Sequence, residues 1–157
     1  FQILNATENV NKAQKVILVS EIEKYFGGNI KDKKIAMWGL AFKANTDDIR
    51  EASSLDNISL LLEKGAKITA YDAIAEENVK KIFGNKIEYT KDMYSCLEDA
   101  DCLLIATEWS EFKNPNFQLM AEKMKNKAIF DGRNMFSIDQ IENTGFYYKS
   151  IGRKTIK

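Results

Sequence analysis

Short apolar runs alternate with helix-like segments from residue 33 to residue 151, and this alternation restricts the fold more than any other feature of the chain. Residues 33–39 (KKIAMWG), 66–72 (AKITAYD), 86–90 (KIEYT), 101–107 (DCLLIAT) and 127–131 (KAIFD) read as strands, and 146–151 as a sixth at an edge. Residues 53–64 and 74–83 read as helices that stop at Gly65 and Gly84, with Ser53 or Ser54 placed to cap the first. Residues 92–100 suit a helical turn or two. Residues 115–124 suit a helix with Asn114 as cap and Pro115 in its first position. The run DCLLIAT is the most apolar, as a strand buried on both faces requires. Repeated strand–helix–strand units wind in one hand only, so the expected class is α/β: a doubly wound, mainly parallel, Rossmann-like sheet of about six strands.

Ahead of the sheet, residues 1–26 hold no Gly or Pro, and Ile3, Val10, Val16, Ile17, Val19, Ile22 and Phe26 recur at loosely helical spacing. One long helix is expected, ended by Gly27-Gly28-Asn29. It either lies on its own domain's core or serves as an interdomain or dimerisation helix. The chain thus divides into residues 1–28, the helix, and 29–157, the α/β domain. The chain opens on Phe1 and not Met, which suggests a piece of a longer protein.

Charge and composition remove whole classes of chemistry. Lys plus Arg and Asp plus Glu are 23 each, so the net charge is zero and the broad positive field of a nucleic-acid binder is missing. An anionic ligand has to be met by a few placed cations. The chain has no histidine, which excludes a His general base, a Ser-His-Asp triad and any His-bearing zinc site. Cys96 and Cys102 fall on a helical turn and a buried strand, so they read as inert core thiols, and no metal site is expected. No segment reads as a secretory leader or a membrane span, and reduced thiols in a cytoplasm are expected.

In sheets of this class ligands bind beyond the carboxyl ends of the strands, so the loops there carry the functional information. The loop from Gly39 to Glu51 is roughly twelve residues long, against about two to six for an ordinary connection. Only Gly39 is present where G-x-G-x-x-G would carry a pyrophosphate, so this is not the usual dinucleotide binder. Lys43 and Arg50 are its cations; they suit a phosphate or sugar, or else pair locally with Asp47, Asp48 and Glu51. Asp72 stands where a nicotinamide-binding fold offers an acid to a ribose. Without the glycines it reads as a carboxylate that accepts loop N–H groups. Trp109 and Phe112 either wall a ligand or cover the sheet, and cover is preferred. In Asp131-Gly132-Arg133-Asn134, Gly132 allows an unusual backbone angle that aims Arg133 across the strand ends, for a phosphate or for a structural ion pair.

The run Gly39-Leu-Ala-Phe42-Lys43-Ala-Asn-Thr-Asp-Asp-Ile-Arg50-Glu-Ala-Ser53 resembles the G-L-A-F-K-x-N-T-D-D-x-R-E-S segment of the UDP-glucose/GDP-mannose dehydrogenase family, in its C-terminal nucleotide-sugar-binding domain. Tyr71-Asp72, Thr107-Glu108-Trp109 with Phe112, and Asp131-Gly132-Arg133-Asn134 follow in that family's order. The leading helix, with Asn5, Val10-Asn11 and Gln14, resembles the end of its central dimerisation helix. Ala44 replaces the family's usual Pro, which loosens the loop, and Ala52 replaces a Ser, which affects a local cap. Among the members, the Thr-Glu-Trp and Asp-Gly-Arg-Asn pair is most similar to those that act on UDP-glucose. The resemblance implies oxidation of UDP-glucose to UDP-glucuronate in two NAD-dependent steps. The catalytic Cys and the glycine-rich NAD fold would belong to an N-terminal half outside this chain, which holds no catalytic residue and is expected to be inactive alone. Phe42 and Lys43 would contact the substrate across the interface, Arg133 the nucleotide sugar, and Arg50 the NAD. The partners implied are a nucleotide sugar, the chain's own N-terminal domain and a second subunit. The alternatives are a dehydrogenase for GDP-mannose or a UDP-N-acetyl-hexosamine, or a non-catalytic nucleotide-binding module.

Overall fold

The computed structural model describes all 157 residues. Six strands form one parallel sheet: β1 (Lys34–Trp38), β2 (Lys67–Tyr71), β3 (Glu88–Tyr89), β4 (Cys102–Ile105), β5 (Ala128–Asp131) and β6 (Tyr147–Ser150). Their order across the sheet is β3-β2-β1-β4-β5-β6. The chain builds outward from β1 in one direction, then returns to β1 and builds in the other, so β1 and β4 flank the point where the winding reverses. Register is set by side-chain alternation. Ile35 and Met37 enter one buried layer with Leu104 and Phe130, while Ala36 and Trp38 enter the other with Leu103 and Ile129. Burial on both faces is why these strands read as unbroken apolar runs.

Helices cover both faces. α2 (Ile17–Tyr25), α3 (Ser53–Glu63) and α4 (Glu76–Phe83) share the first layer; α5 (Phe117–Lys123) and the short α6 (Ile138–Ile141) share the second. The long N-terminal helix is present but bends at Val16, whose φ of −111° and ψ of 9° separate α1 (Gln2–Lys15) from α2. Its two halves behave differently. α2 buries Leu18, Val19 and Ile22 in the core, whereas α1 buries no residue and leaves Ile3, Leu4 and Val10 exposed, as is Phe1 ahead of it. The Asn57 side chain holds the bend, donating to the Lys15 and Ser53 carbonyls at 2.9 and 2.7 Å.

Several helix ends differ from the sequence expectation. Ala52, not Ser53 or Ser54, stands at the N-cap of α3; Ser54 is buried and donates to the Leu40 carbonyl instead. α5 starts two residues late. Asn116 caps it by accepting the Leu119 N–H at 3.0 Å, so Pro115 lies outside the helix. α4 begins at Glu76 because Asp72 accepts the N–H groups of Ile74 and Ala75 and holds them in a turn. Residues 92–100 form only a short 3₁₀ turn, Ser95–Leu97. No helix is long and apolar enough to cross a membrane.

Candidate functional site

The carboxyl ends of β1 and β4 touch through Gly39 and Thr107. A Cβ at Gly39 would fall 2.4 Å from the Thr107 Cβ, and φ at Gly39 is +90°, so glycine is required on two counts. From there the chain runs outward as a long loop, closed by the Phe42 N–H donating to the Asp48 carbonyl at 2.8 Å. The loop is tied down by Asp72. One carboxylate oxygen accepts the Leu40 and Ala41 N–H groups at 2.6 and 3.0 Å and the Trp109 indole N–H at 3.0 Å; the other accepts the two N–H groups ahead of α4. Asp72 is therefore the loop-fixing carboxylate its context suggested, and it has no freedom to hold a ribose. Trp109 and Phe112 are buried cover, with Phe112 stacked on Trp38 at 5.0 Å.

Arg133 is positioned by the turn after β5. Asp131 accepts the Arg133 N–H at 2.8 Å through one oxygen, and the Met135 N–H and Tyr148 hydroxyl through the other. Asn134 clamps Ile151 in both directions, donating to its carbonyl and accepting its N–H. The expectation that Gly132 supplies an unusual backbone angle is corrected here. The positive φ, +51°, belongs to Asn134. Gly132 is needed for close approach, because a Cβ there would lie 2.9 Å from the Ile105 carbonyl oxygen. The guanidinium then spans two loops: Nε donates to the Ala106 carbonyl at 2.8 Å and Nη2 to the Phe42 carbonyl at 3.3 Å. Glu108 Oε2 lies 3.2 Å from Nε and forms an ion pair with it. Arg133 therefore carries the structural ion pair and also lines a cleft.

That cleft has a volume of about 760 Å³, and Phe42, Ser53, Ile105, Ala106, Gly132 and Arg133 line it. The end of α1 lies over it and adds Lys12 and Lys15. Lys15 also pairs with Glu51 at 2.8 Å and Asp56 at 3.6 Å, and the Glu51 hydrogen bond raises its pKa. Sequence reasoning missed both lysines, because nothing in the helix pattern places α1 above the strand ends. Of the four candidates, the structure brings Phe42 and Arg133 together. Lys43 is exposed, forms no ion pair and does not line the cleft. Arg50 lies apart, in a shallow depression with Thr46, Asp47 and Asn78. It forks onto Asp48 with bonds of 3.0 and 2.8 Å, and this hydrogen-bonded guanidinium pulls the Asp48 carboxyl down to about 2. Cys96 and Cys102 are buried; desolvation pushes the Cys96 thiol up to about 12 and Cys102 upward as well, so neither is a nucleophile.

The crevice is bordered by Arg133, Lys12 and Lys15 and also by the carboxylates Glu8, Glu51 and Asp56, so an extended anionic ligand would meet cations already paired within the chain. Comparison with known proteins gives that ligand class a family. Residues 36–138 match the model of the UDP-glucose/GDP-mannose dehydrogenase family, UDP binding domain. The whole chain aligns with UDP-glucose 6-dehydrogenase TuaD of Bacillus subtilis at 38% identity, covering 34% of that protein. The Pseudomonas aeruginosa UDP-glucose 6-dehydrogenase is 36% identical over 97% of the chain and 35% of its own length. Among solved structures, the UDP-glucose dehydrogenase of Pyrobaculum islandicum superposes with a TM-score of 0.70 at 26% identity, over 90% of this chain and 29% of that one. The UDP-D-ManNAc dehydrogenase of Pyrococcus horikoshii gives the same TM-score and identity, over 90% and 31%. The chain spans about a third of the length of the curated relatives it matches. It belongs to the UDP-glucose/GDP-mannose dehydrogenase family and carries that family's UDP binding domain.

Proposed function

We propose that this chain is the C-terminal substrate-binding part of an NAD-dependent UDP-glucose 6-dehydrogenase, which converts UDP-glucose to UDP-glucuronate by two successive oxidations. The observation that carries the reading is Arg133, held between the Ala106 and Phe42 carbonyls on the cleft wall. Its Nη1 makes no bond within the chain, so part of the donor fork is available to a phosphate oxygen. The pyrophosphate takes Arg133, and the exposed Phe42 and Lys43 side chains of this chain contact the substrate across the interface with the companion half. Binding energy from the nucleotide then orients the glucose C6 toward groups that the companion half supplies.

The residues present fit only one edge of NAD. Arg50 is 88% exposed and able to reach a phosphate, while the rest of the strand-end loops hold no glycine-rich approach. Bound by the companion half, NAD would supply hydride acceptance; this chain would contribute only Arg50. Residues 1–28 are the end of a connecting helix that pairs two subunits, which is supported by the apolar side chains α1 exposes, and residues 29–157 form the binding domain. The site of action is the cytoplasm, and the chain alone is inactive. A second reading, a dehydrogenase for a UDP-N-acetyl-hexosamine, draws support from the equal TM-score of the Pyrococcus structure.

Steady-state kinetics of the full-length protein test the proposal. Arg133→Ala should weaken nucleotide-sugar binding by about 1–3 kcal/mol, the range for a lost charge-assisted bond. An unchanged KM removes Arg133 from the site. Titration with UDP-glucose, GDP-mannose and UDP-N-acetylmannosamine in parallel separates the two readings.

A further inference from the structure

Trp109 lies behind the cleft wall, and its ring lines no part of the cleft. Its connections are nonetheless directed at the two carbonyls that seat Arg133. The indole N–H meets the same Asp72 oxygen that accepts the Leu40 and Ala41 N–H groups. Phe42, whose carbonyl accepts from Arg133 Nη2, is the next residue along that loop. On the other side, Thr107 Oγ1 donates to the Ala41 carbonyl at 2.7 Å, and the residue before it, Ala106, accepts from Arg133 Nε. The loops after β1 and β4 are therefore cross-tied twice, by Thr107 and by Trp109. Glu108, pinned between them, has its buried Oε2 without a hydrogen bond and 3.2 Å from Arg133 Nε.

We infer that Trp109 is a positioning residue for nucleotide-sugar binding: through Asp72 it fixes the spacing of the two loops whose carbonyls hold the Arg133 fork. The inference rests on the proposed function of the cleft and assigns this residue a part in it. Losing the indole N–H leaves the Asp72 oxygen with one donor fewer and frees the loop after β4 to shift against the loop after β1. The guanidinium, bonded to both, then loses its fixed angle. A phosphate-binding Arg gains from being held in advance, so the effect appears in binding and not in the chemical step.

The test is steady-state kinetics of three variants of the full-length protein. Trp109→Phe keeps an aromatic cover and removes only the N–H. Trp38→Phe is the control: its buried indole donates to the Met93 backbone carbonyl at 2.9 Å and makes no bond to Asp72 or to the carbonyls that seat Arg133. Trp109→Phe should raise the KM for the nucleotide sugar about five- to tenfold with kcat within about twofold, while Trp38→Phe leaves KM unchanged. Equal KM values for Trp109→Phe and wild type overturn the inference, as do equal rises in both Trp variants. Arg133→Ala, run alongside, isolates the underlying reading: if it leaves KM unchanged, the cleft assignment fails and the inference falls with it. Should Trp109→Phe not fold, Thr107→Val cuts the second tie at nearly constant shape and must raise KM in the same way.

Discussion

Gly39→Ala probes the close approach on which the cleft is built, and its cost divides into separable parts. The first is conformational: at φ +90° a Cβ costs about 1–2 kcal/mol. The second is steric: the new Cβ meets the Thr107 Cβ at 2.4 Å, its Oγ1 at 2.6 Å and its backbone nitrogen at 2.7 Å, and such overpacking costs about 1–3 kcal/mol. Against these, alanine restricts the unfolded chain and returns about 0.4–1 kcal/mol. The expected net loss is about 1–4.6 kcal/mol, a large part of a typical domain's stability. Two other glycines separate the parts. Gly28 has φ +93° with nothing within 4 Å of its Cβ position, so Gly28→Ala carries the conformational part alone and should cost about 0–1.5 kcal/mol. Gly132 has no positive φ and meets only the Ile105 carbonyl oxygen at 2.9 Å and a Leu18 methyl at 3.4 Å, so Gly132→Ala carries only a steric part. Urea denaturation of the three variants measures the order directly, since 1 kcal/mol moves the midpoint by about half a molar. Gly39→Ala should lose most. Trimming Thr107 to Ser should not rescue it, because the nearest atom, its Cβ, and the backbone nitrogen both remain. If Gly39→Ala costs no more than Gly28→Ala, the claim that β1 and β4 need a glycine for their approach is wrong.

The remaining expectations are narrower. The Asp48 carboxyl lies at about 2 against an ordinary 3.8, so the Asp48–Arg50 pair contributes fully above about pH 4 and is lost as pH falls through the lower value. Carboxyl NMR should show Arg50→Ala returning Asp48 toward 3.8; an unmoved midpoint would assign the shift elsewhere. Asn116→Ala should destabilise by about 0.5–2 kcal/mol through loss of the α5 cap, and thermal melts should show Asn114→Ala costing less. The reverse order would restore the earlier helix start. Neither thiol should react with a disulfide reagent in the native chain, and both should react in urea, because Cys96 and Cys102 are buried and their pKa values raised. Labelling of either in the folded state would contradict that burial.

The sheet was legible because its strands are buried on both faces. IAMW and CLLI leave no polar side chain for solvent, so their assignment needs no tertiary information. Helix ends were less legible, because several residues competed for each cap. Asn114, Pro115 and Asn116 each suit a helix start, and only the folded chain shows that Asn116 reaches the Leu119 N–H. The bend at Val16 had no signal at all: no Gly or Pro marks it. It falls where core contact begins, at Leu18, and where Asn57 comes from α3 to meet the Lys15 carbonyl.

At the cleft the same division applies. Residue types and spacing were enough to name the loops, to exclude histidine chemistry, and to mark Asp72 as a loop carboxylate, since those conclusions depend on local chemistry and order along the chain. Which cations share a cavity was decided by contacts between residues far apart in sequence. Arg133 meets the Phe42 carbonyl 91 positions away, Arg50 turns to Asp48 beside it, and α1 brings Lys15 over the strand ends. A side chain's charge is written in the sequence; the distance at which it acts exists only once the sheet has closed and the loops at its edge have been tied to one another.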